Sequence, residues 1–152
     1  MQSHLAQPWR VLVLDAQAQH SRGYGRIGLG GTGHARELVL HNHVALAAFR
    51  AGKGNGELLA ELAKALYLAW YLQEAGFDAA DRELYLEAEG ILDNAARNAS
   101  KGIWCIEPAE CGPVTRILDL HERQLSSAPV YAVGEAQARL LRFGITSRRS
   151  PW

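Results

Sequence analysis

Residues 57–75 read ELLAELAKALYLAWYLQEA, and this stretch decides the fold. Glu57, Glu61 and Lys64 make a narrow polar stripe near its start, while Leu58, Leu59, Leu62, Leu66, Ala69, Trp70 and Leu72 cover the rest of the helical circumference. A helix this apolar belongs at the centre of a bundle, packed on several sides. Gly76 stops it, since glycine adopts the left-handed backbone that ends helices at little cost.

The flanking sequence also repeats with helical period. Upstream, residues 34–51 form a first helix after Thr32 as N-cap, halted by GKGNG at 52–56. On its wheel Leu38, Ala45, Ala48 and Phe49 share a side with His34 and His41, whereas Arg36, His43 and Arg50 recur on another. His41 is thus expected toward the core and His43 toward solvent. Downstream, a third helix begins at Asp78 as N-cap and carries Leu84, Ala88, Ile91, Leu92 and Ala95 inward. Its opposite arc displays Glu83, Glu87, Glu89 and Asp93. A fourth helix runs from Pro113 to about Ser126 with the stripe Val114, Ile117, Leu118, His121 and Leu125. After Ala128-Pro129 a last helix spans roughly 134–143. The expected fold is all-α, a compact bundle of about five helices over residues 34–144.

The two ends read differently. Residues 1–33 hold one β-branched run, WRVLVLD at 9–15, which suits a short strand, and then GYGRIGLGGTG, whose ordering costs much entropy and packs little. They are expected to be a flexible or partly ordered arm, and residues 145–152 a tail. The start has no basic segment ahead of an apolar stretch, so no secretion signal is expected. No apolar run approaches membrane-spanning length. With two cysteines and no disulfide framework, the reading is a cytoplasmic protein.

Charge is neutral overall but unevenly placed. Residues 1–53 carry six basic and two acidic side chains, residues 54–126 six basic and thirteen acidic, and residues 127–152 four basic and one acidic. An acidic middle with basic ends speaks to choice of partner. The acidic face of Glu83, Glu87, Glu89 and Asp93 suits docking on a protein with a basic surface. Arg22, Tyr24 and Arg26 in the arm, Arg36 and Arg50 on the first helix, and Arg148 and Arg149 in the tail are the candidate nucleic-acid contacts.

Motifs for catalysis fail on context. Gly23-Tyr-Gly-Arg-Ile-Gly28 matches the spacing of a dinucleotide fingerprint, but the candidate strand ends too early and no second parallel strand follows. His41-Asn42-His43 is contiguous, and neighbouring helix positions diverge too widely to chelate one ion together. A metal site built from His34, His41 and His121 would need bundle convergence, yet the Glu-x-x-His spacing of such sites is missing. Cys105 and Cys111 lack the C-x-x-C spacing of zinc or redox sites. No catalytic residue, cofactor or metal is therefore expected, and the oligomeric state stays open, a homodimer included.

LHNHVALAAFRAGKGNGELLAELAKALYLAWYLQEAGF at 40–77, LDLHERQLSSAPVY at 118–131 and LLRFG at 140–144 together resemble small helical proteins encoded on phages and other mobile elements of proteobacteria. The resemblance spans residues 38–144 and is compositional. It implies an accessory, non-enzymatic role, either a regulator or an inhibitor of a host defence complex of the CRISPR type. The leading expectation is a protein that binds a macromolecular partner through charged helix faces. A DNA-associated regulator using the basic arm and tail is the alternative, and an enzyme with an unrecognised helical site comes third.

Overall fold

In the computed structural model, which describes residues 31–144, 146 and 150–152 and the side chains from Arg36 on, five helices form one bundle. They are α1 (Gly31–Arg50), α2 (Gly56–Glu74), α3 (Arg82–Ala99), α4 (Gly112–Ser127) and α5 (Val130–Gly144), with a 3₁₀ turn at Pro108–Glu110. No strand occurs among the described residues. None of these helices is long and apolar enough to cross a membrane.

The apolar helix stands at the centre. α2 packs against α1, α3, α4 and α5, and twelve of its nineteen residues are buried. Even its polar stripe is partly enclosed: Glu61 is 6% exposed, because four helices leave little of the circumference to water. Asn55 caps it, its side-chain oxygen accepting from Leu58 N at 2.8 Å. Gly76, with φ of 98°, ends it as the sequence required.

Buried polar bonds tie the chain to this centre. Gln124, fully enclosed on α4, donates through Nε2 to the carbonyls of Ala69 and Phe77 at 2.9 and 3.0 Å. Its Oε1 lies 3.3 Å from His121 Nδ1, which makes Nδ1 the protonated nitrogen of a neutral ring. Burial holds His121 down to about 4, since charging the ring would cost its desolvation. Gln73 on α2 pins the next loop at both backbone polar groups of one residue, donating to Ala80 O and accepting from Ala80 N, both at 3.0 Å. Phe49 closes the far end: its ring lies so near Gly54 that any Cβ there would stand 2.5 Å from it, so this position needs glycine.

Several expectations need correcting. α1 begins at Gly31, so Thr32 lies within it rather than capping it. Its buried face is Asn42, Ala45, Leu46 and Phe49, rotated from the expected stripe. His41 is accordingly exposed, and His43 half-buried, its Nε2 3.5 Å from Glu122 Oε2 on α4. The rotation follows from α1 packing on α2 and α4 together, which pulls Asn42 and Leu46 inward. α3 starts at Arg82 with Asp81 as N-cap, because Asp78 adopts a φ of 44° that no helix continues. α5 begins one turn early, at Val130.

The chain end also differs from a free tail. Trp152 stacks among Tyr67, Trp70 and Tyr85, with ring centroids 5.4, 5.7 and 5.5 Å away. Ser150 Oγ donates to both Glu89 oxygens, at 2.7 and 2.8 Å. Replacing Trp152 by Ala should lower stability by about 1.5–2.5 kcal/mol, roughly half the loss for a fully buried tryptophan, because the ring is half-buried. Urea unfolding monitored by circular dichroism checks this; an unchanged midpoint would mean the ring only rests on the surface.

Candidate functional site: an acidic groove between α3 and α4

Between the start of α3 and the middle of α4 lies an open groove of about 530 Å³. Asp81, Glu83 and Glu87 line it from the α3 side, and Arg116, Asp119 and Arg123 from α4, with Leu84 and Leu120 as apolar floor. The wheel explains the walls. Glu83 and Glu87 are one turn apart beside the buried Leu84 and Ala88, so they stand exposed on the shoulder of α3 that faces α4. Arg116, Asp119 and Arg123 form the exposed rows beside the buried Ile117, Leu120 and Gln124.

The rim at Ala79–Asp81 is fixed from two directions. Gln73 holds Ala80, and Tyr85 OH donates to Gln73 Oε1 at 2.7 Å from below. Burial pushes the Tyr85 phenol well above its ordinary value, so it stays a donor. Arg123 Nε donates to Asp78 Oδ2 at 2.7 Å, and Asp78 also accepts from Ala79 N at 2.8 Å. These bonds, that from Arg123 foremost, hold the Asp78 carboxyl below its usual range.

Four carboxylates thus meet two guanidinium groups in the groove, and Arg123 is already engaged by Asp78. Among the described residues the lining contains no serine, cysteine, histidine or lysine. What it offers is an open, acid-rich surface with a small apolar floor.

The structure divides the expected acidic face. Glu83 and Glu87 are exposed in the groove, but Glu89 and Asp93 are buried, at 5% and 7% exposure. Glu89 accepts from Tyr67 OH at 3.1 Å and from Ser150. The wheel puts these two acids on the opposite shoulder of α3, and for Glu89 the covering groups come from α2 and from a residue 61 positions away. Both are enclosed, where the expectation set them on an exposed arc. Asp81, Arg116 and Asp119 were missed; the outward position of Asp119 is readable from the α4 stripe, its juxtaposition with Glu83 is not.

Among the candidate nucleic-acid contacts, Arg36 and Arg50 are exposed on α1. Arg22, Tyr24, Arg26, Arg148 and Arg149 lie outside the described residues, as do the Gly23–Gly28 motif and the run at 9–15. Of the histidines weighed for a metal, His41 is exposed and His121 enclosed, and the side chain of His34 lies outside those described. Cys105 and Cys111 are free thiols. Cys111 lies 3.4 Å from Glu107 O, and burial raises its thiol above the ordinary value, which suits a structural role.

Comparisons with models of known protein families, with curated proteins and with solved structures give no match.

Proposed function

We propose that this protein is a non-enzymatic interaction module whose α3–α4 groove receives a basic segment of a protein partner. The observation that carries this reading is the grouping of Asp81, Glu83, Glu87 and Asp119 around one open groove with an apolar floor. Like charges gathered on a rigid concave surface raise the local potential and steer an oppositely charged partner. A partner helix with lysines or arginines one turn apart would match the spacing of Glu83 and Glu87. An inhibitor of a host defence complex is one form of this reading, since nucleic-acid-binding surfaces are basic and an acidic groove can occupy them.

The test is a charge reversal. Glu83→Lys with Glu87→Lys should weaken the complex with a partner captured from bacterial lysate at least tenfold, measured by titration calorimetry. Both side chains are exposed, so stability should change by only about 0.5 kcal/mol. Affinity of the parent should fall steeply with added salt, because exposed charges are screened within about 8–10 Å at ordinary ionic strength. A tight partner indifferent to both the reversal and salt would refute the groove as the docking surface.

A further inference from the structure

The geometry points to a second site, away from the α3 wall: His43, Asp119 and Glu122 bind a divalent transition-metal ion of the zinc class. His43 comes from α1, and Asp119 and Glu122 lie one turn apart on α4. One ligand atom from each of the three falls within 4.8 Å of the others, and His43 Nε2 is 3.5 Å from Glu122 Oε2. An imidazole–carboxylate pair needs a single acid. A second carboxylate turned to the same point adds repulsion, which a cation between the three groups converts into attraction.

The backbone positions are set independently of any ion. Asn42 and Leu46 flank His43 in the buried face of α1, and Leu118 and His121 flank the two acids in the core stripe of α4. α1 and α4 pack directly, so the three side chains leave rigid neighbouring helices on the same side. Metal–ligand bonds of about 2.0–2.2 Å need the donor atoms somewhat closer together, a shift within reach of exposed carboxylate ends. One nitrogen and two oxygens leave further positions to water, the arrangement of an open site. The imidazole selects zinc, cobalt or nickel over magnesium and calcium, which prefer oxygen alone.

Arg116 and Arg123 share the exposed side of α4 and oppose a cation; Arg123 is drawn off by Asp78. The inference departs from the sequence expectation of no metal, which rested on His34, His41 and His121. It shares Asp119 with the groove but needs no partner, and its test uses the ion alone.

Zn2+ titrated into the full chain by calorimetry should bind one equivalent, and Mg2+ should not compete at a hundredfold excess. Co2+ should give weak visible bands without the intense near-ultraviolet thiolate absorption that Cys105 and Cys111 would produce. His43→Ala and the isosteric Glu122→Gln should each weaken Zn2+ at least tenfold while leaving the helical circular dichroism and melting of the metal-free protein unchanged. Absence of saturable Zn2+ binding, thiolate bands, or equal affinity in both variants would reduce the cluster to a surface ion pair and overturn the proposal.

Discussion

Leu66→Ala should cost about 2–5 kcal/mol, among the largest effects expected of a single substitution in this chain. Leu66 is 3% exposed, on the helix that touches all four others, so the lost methyl groups leave a cavity that several elements would have to move together to fill. Rigid helices close such a void poorly, and both the transfer and the cavity terms are then paid. Urea unfolding at neutral pH measures it. A change below about 1 kcal/mol would mean that α2 is peripheral and that the bundle has another centre.

Stability should also fall on mild acidification, through His121. Its folded value of about 4 lies below the ordinary 6.5, so the unfolded chain takes up a proton that the native state refuses. The contribution is complete above about pH 6.5 and is lost progressively as pH falls toward 4, with a slope approaching about 1.4 kcal/mol per pH unit. Between pH 6.5 and 5 the loss should be about 1.5 kcal/mol. Asp78 adds nothing in this window, because a carboxyl held low loses its contribution only below the ordinary carboxylate range. His121→Leu should flatten the profile between pH 5 and 6.5. A parent protein equally stable at both values would show that His121 accepts its proton in the folded state.

The sequence was legible where one helix decides its own environment. The stripe Val114, Ile117, Leu118, His121 and Leu125 is buried as its spacing required, and the centrality of α2 follows from its own composition. It was illegible where burial depends on chain far away. Glu83 and Glu89 are the same residue type only six positions apart, yet one lines a groove and the other is covered by Tyr67 and Ser150. No periodicity within α3 tells which shoulder Ser150 will cover. The same holds for His41 and His43, exchanged by a modest rotation of α1 against α4, and for Asp119, whose proximity to both Glu83 and His43 exists only once three helices are packed. The short polar links were misread by a few residues because Asp78 looks like a cap but serves as a left-handed turn held by Arg123.

Binding of a basic segment in the α3–α4 groove should be visible residue by residue in backbone amide NMR. A lysine- and arginine-rich amphipathic peptide is titrated into the labelled full chain and into the Glu83→Lys, Glu87→Lys variant. Saturable shifts concentrated at residues 79–87 and 116–123 are expected in the parent, diminishing with salt and abolished in the variant. Shifts scattered over the surface, or a response confined to other helices and unchanged by the reversal, would contradict it.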